Sequence, residues 1–363
     1  MSELGVAVFS GLNQSVEQNL NYLKLARQCG YSRLFTSLHI PESDSTILVQ
    51  DTRRVLACAT ELGFAITADI SPGTWQQFDI KADELSEIGI GSIRIDYGIS
   101  PAEMHEIAAA ANVAVEVNAS VLTEAELSGL FAAGFTAGCL SACHNYYPRP
   151  ETGLSIPLLV ERSQVFFNRN ISVGAFIPSL QNPRGPIFAG LPTVEAHRRM
   201  SPVEAARQLW ATGMIDRIIW GDPLVSESEL LAVASLAKPK DTFVTLRLIP
   251  EPEKMSAQER ELVFLPVHTN RCDAAAAVVR SQESRSLCSR FIPQRGSLSR
   301  NRGDVTIDNA NYGRYMGELQ IVLQELPVDE RVNVIGRIAE ADLCLLDCIL
   351  PGRRFCFKEV ESP

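Results

Sequence analysis

No stretch of this chain approaches the roughly 20 consecutive apolar residues that a helix needs to cross a bilayer, which excludes a helical membrane span. The first residues enter a β-branched segment at once, without the basic and apolar leader of a secreted protein, so the expected compartment is the cytoplasm. An excess of positive charge is missing too. The 33 Lys and Arg stand against 43 Asp and Glu, a formal net charge of −10, which argues against nucleic acid or an anionic membrane as general partners. The nine cysteines contain no Cys-x-x-Cys pair and no metal-finger spacing. Cys139/Cys143 and Cys344/Cys348 lie four apart in apolar surroundings, the pattern of reduced, buried thiols. There is no phosphate-binding P-loop, no dinucleotide Gly-x-Gly-x-x-Gly, no Gly-x-Ser-x-Gly elbow and no His-Glu-x-x-His. His39, His105, His144 and His197 are too scattered to frame a metal. The expected chemistry needs no cofactor and no metal.

What is present is a cadence. Eight times within about 240 residues a short β-branched run ends in a polar tip and is followed by a helical stretch, the pattern of a (β/α)8 TIM barrel. The runs are 5–10, 33–38, 64–69, 92–96, 113–118, 136–140, 171–178 and 217–222. Amphipathic stretches such as 15–28, 45–62, 123–131 and 201–211 lie between them, with apolar residues recurring at three and four. Ser15 with Gln18 and Thr123 with Glu126 read as capping boxes, and Ser201-Pro202 as a proline-started helix. Gly30, Gly63, Gly134 and Gly213 fall where helices end.

At 363 residues the chain exceeds an ordinary barrel by about 110, enough for a second small domain. The pattern changes near Lys238-Pro-Lys240, and Pro250 to Glu253 form a polar joint, so the expected division is 1–240 and 241–363. Short β-like segments follow at 261–265, 277–279, 305–307, 317–323, 332–335 and 341–346, predicting a β-rich domain.

A barrel carries its chemistry where its strands end. Asp69, Asp96 and Asp222 end runs three, four and eight, while Glu116 and Asn118 share one face of run five. Asp69, Asp96 and Glu116 are therefore the candidate catalytic acids, since crowded carboxylates divide acid and base roles. After run six, His144, Asn145, Tyr146, Tyr147 and Arg149 place an imidazole, an amide, two aromatic rings and a guanidinium in one loop. Aromatic faces suit sugar rings, and the planar fork of arginine suits phosphate or carboxylate. Arg184 opens the long excursion after run seven, which also holds Glu195 and His197, and His39 with Glu42 follows run two.

Long stretches of the chain together resemble the 6-phospho-N-acetylmuramidases. They are Phe35-Thr-Ser-Leu-His-Ile-Pro-Glu42, Asp69-Ile-Ser-Pro72, Arg94-Ile-Asp-Tyr-Gly98, Glu116-Val-Asn-Ala-Ser120 and His144-Asn-Tyr-Tyr-Pro-Arg149. Arg184-Gly-Pro186, Gly190-Leu-Pro-Thr193, Arg280-Ser281, Gly303-Asp-Val-Thr-Ile-Asp-Asn309 and Tyr312-Gly-Arg-Tyr-Met-Gly-Glu-Leu-Gln-Ile321 continue the series. The resemblance implies a barrel followed by a cyclophilin-like domain. It also implies an intracellular glycosidase cleaving the β-1,4 bond of N-acetylmuramic acid 6-phosphate–N-acetylglucosamine during peptidoglycan recycling. Under that reading Asp69, Asp96 and Glu116 supply acid and base or nucleophile. Asn118, His144, Asn145, Tyr147, Asp222 and Glu42 contact sugar, Arg149 and Arg184 grip phosphate, and Arg280 and Arg285 with Ser281 reach over from the second domain to close the mouth. The alternatives are a phosphosugar lyase or isomerase on the same barrel, for which strand-end lysines are nearly missing, and a non-catalytic phosphosugar sensor.

Overall fold

The structure is a computed structural model, and it describes residues 3–12, 14–38, 45–71, 81–95, 98–236, 243–251, 255–296 and 298–360. The chain divides into two compact units, Met1–Lys238 and Pro239–Pro363.

The first unit is a closed barrel of eight parallel strands. They are β1 Glu3–Ala7, β2 Arg33–Ser37, β3 Ala65–Asp69, β4 Ile90–Arg94, β5 Ala114–Asn118, β6 Leu140–Cys143, β7 Val173–Ile177 and β8 Arg217–Trp220, with β1 closing on β8. The expected runs and the observed strands coincide within a few residues except at β6. There residues 137–139 form a 3-10 turn, and the strand starts only at Leu140. The outer helices are α1 Val16–Gln28, α2 Ser45–Glu61, α3 Pro101–Ala111, α4 Glu124–Ala132, α5 Ile156–Phe167, α6 Pro202–Ala211 and α7 Glu227–Ala234. Both expected capping boxes form, and Ser201 caps α6 with Pro202 in its first turn. Each satisfies backbone N–H groups that a helix start leaves without partners. His105 of α3 packs edge-on against Phe135, away from any ligand role.

The lumen is filled rather than hollow. Ala7, Phe9, Phe35, Cys143, Phe176 and Ile219 form one buried cluster, with Tyr146 and Leu12 packed against it. One layer holds a charge pair instead. Arg217 of β8 reaches Glu116 of β5 at 3.0 Å with both side chains almost wholly buried. Gly174 makes room for it, because a Cβ there would meet Cys143 Sγ at 3.0 Å and Arg217 Nε at 3.5 Å.

The second unit is built on a seven-stranded mixed sheet in the order β10-β15-β9-β14-β12-β13-β11. Its strands are β9 Phe243–Pro250, β10 His268–Thr269, β11 Val278–Arg280, β12 Asp304–Asp308, β13 Leu319–Val322, β14 Val332–Ile338 and β15 Arg354–Glu359. β9 pairs parallel with β15 and antiparallel with β14. Two expected strands are helical instead. Residues 257–263 form α8, started by a Ser256/Glu259 capping box, and 340–348 form 3-10 turns. In the latter, buried Asp342 accepts from the backbone N–H and guanidinium of Arg247. No helix among the described residues is long and apolar enough to cross a membrane.

Candidate active site

The C-terminal ends of strands β2 to β6 bring a carboxylate, a guanidinium and two amides into one neighbourhood. In the strand register Ser37 lies beside Asp69, Asp69 beside Arg94, and Arg94 beside Glu116. Asp69 is half-buried at the rim and accepts from Ser37 Oγ at 3.3 Å. Arg94, buried, donates to the Cys143 carbonyl at 3.3 Å and to Asn145 Oδ1. It therefore ties the end of β4 to the loop after β6. Asn118 is also buried, and its Oδ1 accepts from Ser120 N at 3.0 Å, turning the chain at the end of β5.

Above the lumen cluster sits a cation on an aromatic floor. Tyr146 meets Phe9, Phe35 and Phe176 edge-on, with the Phe176 ring centroid 5.2 Å away. The Arg184 guanidinium lies 4.5 Å from the Phe9 centroid and 5.4 Å from that of Tyr146. Its buried Nε finds no acceptor among the described residues. A guanidinium held on ring faces with an unmet donor is suited to an incoming anion. The sequence singles out Arg184. Its platform, Phe9 with Tyr146, carries no local signal because the two rings come from opposite ends of the barrel's chain order.

Several expected ligand groups are instead committed to holding the loops. Asp222 is fully buried, and its carboxylate accepts backbone N–H groups of Ser179, Leu191 and Arg184 at 2.8–3.1 Å. Burial raises its pKa, against the lowering effect of those three bonds. It is a pin for the excursion after β7. His144 points into the helix layer. Ser163 Oγ donates to the Leu159 carbonyl, so it accepts from His144 Nε2 at 2.9 Å, and His144 Nδ1 takes the hydroxyl proton of Ser120 at 3.2 Å. Ser120 Oγ in turn accepts the N–H of Asn145 at 2.9 Å. Burial pulls the imidazole down to about 3, so it stays neutral and, through Ser120, holds Asn145. Glu116 lies below the rim in its pair with Arg217, and its buried Oε1 finds no partner among the described residues. The expected triad of rim acids thus loses Glu116 to the barrel interior, because its position on β5 is one layer deeper than that of Asn118.

The two mouth loops are clamped together by Glu195 and Arg198, from the stretch after β7 whose donors the sequence offers to an anionic ligand. Glu195 accepts from Glu151 N and Gly153 N and pairs bidentately with Arg198 at 2.7 and 2.8 Å. That arginine holds the Glu195 carboxyl down to about 2. Arg198 also donates to the carbonyls of Tyr147, Arg149, Ala189 and Gly190. Thr193 bridges the loops from below, donating to Asn145 O and accepting from Phe176 N, both at 2.8 Å. Tyr147 is half-buried with its N–H on Pro192 O, whereas the Arg149 side chain is exposed. His197 is buried against Gln208 at 2.8 Å, a packing role.

Asp96, Glu42 and His39 lie outside the described residues. In the second unit, Arg280 is engaged bidentately by Glu318 at 2.7 and 3.2 Å. Ser281 is buried with its hydroxyl on His268 Nδ1 at 2.9 Å. Those partners anchor Ser281 within its own unit, so it is not a free hydroxyl for a ligand.

Comparison with known proteins gives two family matches in chain order. One is described as 6-phospho-N-acetylmuramidase, N-terminal, over residues 4–235, and the other as 6-phospho-N-acetylmuramidase, C-terminal, over residues 245–358. Among solved structures, an uncharacterized Bacillus cereus protein is 30% identical with a TM-score of 0.72, the alignment covering 99% of each chain. A conserved Enterococcus faecalis protein of unknown function is 34% identical with a TM-score of 0.59, covering 99% of this chain and 96% of that one. No curated protein matches.

Proposed function

This chain belongs to the 6-phospho-N-acetylmuramidase family, a family of glycosidases, and we propose that it hydrolyses the β-1,4 bond of N-acetylmuramic acid 6-phosphate–N-acetylglucosamine in the cytoplasmic recycling of peptidoglycan. The observation that carries this reading is that both halves of the family match, in order, over nearly the whole chain. Both matches bear the name of a glycosidase, which favours neither a lyase or isomerase nor a sensor.

In the proposed mechanism the barrel unit is catalytic and Asp69 is one of two working carboxyl groups. The second, from the sequence, is Asp96, two residues past Arg94. One protonates the departing glycosidic oxygen and the other activates water or attacks the anomeric carbon. The substrate's own acetamido oxygen is the alternative nucleophile, with one carboxyl then orienting it. Arg94, beside Asp69 in the strand register, places the Asn145 amide. Arg184 takes the 6-phosphate, with exposed Arg149 as a second guanidinium, and Asn118 and Tyr147 border the sugar.

The test is a KM split. Arg184→Gln should raise KM for the phosphorylated disaccharide at least tenfold while changing turnover of an unphosphorylated analogue little. Equal losses on both substrates would remove Arg184 from the phosphate site.

A further inference from the structure

The second unit carries an arginine cluster that the proposed glycosidase chemistry does not use. A cleft of ≈ 590 Å³ is lined by Arg271, Asp273, Arg280, Arg285, Arg314 and Tyr315. Two of its four guanidiniums are spoken for. Arg271 pairs bidentately with Asp273 at 2.8 and 2.9 Å, and Arg280 with Glu318 at 2.7 and 3.2 Å. The other two are held more loosely. Arg285 approaches Glu318 no nearer than 3.7 Å, and Arg314 has no carboxylate partner among the described residues. Both flank one ring, with their Cζ atoms 5.6 and 5.0 Å from the Tyr315 centroid, and Arg314 donates to the Tyr315 hydroxyl at 3.0 Å.

The backbone presses these residues together. Gly317 has φ +88°, and a Cβ there would fall 2.3 Å from Cys288 Cβ, so the turn bearing Arg314 and Tyr315 sits directly on the end of the 284–287 helix bearing Arg285. The four arginines against Asp273 and Glu318 leave two positive charges over in one cleft of a chain whose net charge is −10. Loose surface arginines would repel and separate, whereas here ring contacts and a short turn hold them.

We propose that this cleft is a phosphomonoester site, in which Arg285 and Arg314 grip a phosphoryl dianion beside Tyr315 while Arg271 and Arg280 frame it. A carboxylate would duplicate what Asp273 and Glu318 already supply. A phosphoryl dianion has enough acceptor oxygens to engage both remaining guanidiniums at once. The proposal stands apart from turnover in the barrel, since it concerns binding to the second unit.

Titration calorimetry on the full chain in about 150 mM salt, where distant charges are screened, tests it with inorganic phosphate, glucose 6-phosphate and glucose. The expected result is saturable binding of both phosphate compounds and none of glucose. Made in the Arg184→Gln background, where the proposed barrel phosphate site no longer contributes, Arg285→Gln combined with Arg314→Gln should weaken that binding at least tenfold, and Arg184→Gln alone should leave the second unit's binding in place. Phosphate binding but no glucose 6-phosphate binding would overturn the phosphomonoester assignment. Absence of saturable binding, unchanged affinity in the double variant, or loss confined to Arg184→Gln would overturn the site. Both substituted residues are exposed, so folding of the double variant is expected to be intact and is checked by its melting transition.

Discussion

Side chain by side chain, the barrel mouth separates groups that face a ligand from groups that hold them. We place Asp69, as a proposal, in the first set. Asp69→Asn should lower kcat by about 10²–10⁴ with the melting temperature little changed, the range for removing one general acid or base. An unaltered kcat would take Asp69 out of the mechanism. Glu116 belongs to the second set. Removing one partner of a buried ion pair leaves an uncompensated charge, at a cost of about 3–5 kcal/mol. Glu116→Ala should therefore lower stability by that order in a denaturant titration, and Glu116→Leu with Arg217→Met should recover most of it. A stable, inactive Glu116→Ala would instead return Glu116 to the catalytic list. The sequence shows a carboxylate on β5 but not its depth, because Arg217 lies about 100 residues away and nothing local announces the pair.

Among the elements, the sequence was most legible where one local signal suffices. The eight strands and the capped helices follow from β-branched runs, from Ser15/Gln18 and Thr123/Glu126, and from glycines that take φ between 72° and 108°. It was least legible in the second unit. There α8 looked like a strand because Leu262 and Val263 are apolar neighbours, although Ser256 with Glu259 marks a helix start. β9, β10 and β15 were missed because their partners are distant in sequence. The mouth loops were recognised as chemically rich, but the Glu195–Arg198 clamp that joins them is a tertiary device. Glu195→Gln weakens the bidentate pair without changing size. It should raise KM several-fold and increase protease sensitivity of the 147–154 and 184–199 segments, while loss of activity with unchanged proteolysis would argue for direct substrate contact.

Taken as a whole molecule, both units hold buried groups whose titration is linked to stability, His144 and His197 in the barrel and His268 and Asp308 in the second unit. Burial lowers His144 to about 3 and His197 to about 4 in the barrel. Unfolded histidines titrate near 6.5, so below that pH the unfolded chain binds protons the barrel refuses. Barrel stability is then full above about 6.5 and falls towards pH 4, by up to about 1.4 kcal/mol per pH unit for each histidine. In the second unit burial, aided by Glu318, raises Asp308 to about 7. Its protonated form stabilises the fold at low pH, and that contribution is lost as pH rises from about 4 through 7. Buried His268 opposes this below about 6.5, so in calorimetric scans from pH 5 to 7 the second unit's melting temperature should fall less, or rise more, with pH in Asp308→Asn than in the unaltered chain. An unchanged slope in the variant would assign it to another group. The proposed activity is that of a phosphate-reading glycosidase. The most direct measurement is to incubate the purified protein with N-acetylmuramic acid 6-phosphate–N-acetylglucosamine and with its unphosphorylated twin, following products by mass spectrometry. Release of both monosaccharides from the phosphorylated form alone is the predicted result, and a folded protein that cleaves neither, or both equally, would contradict it.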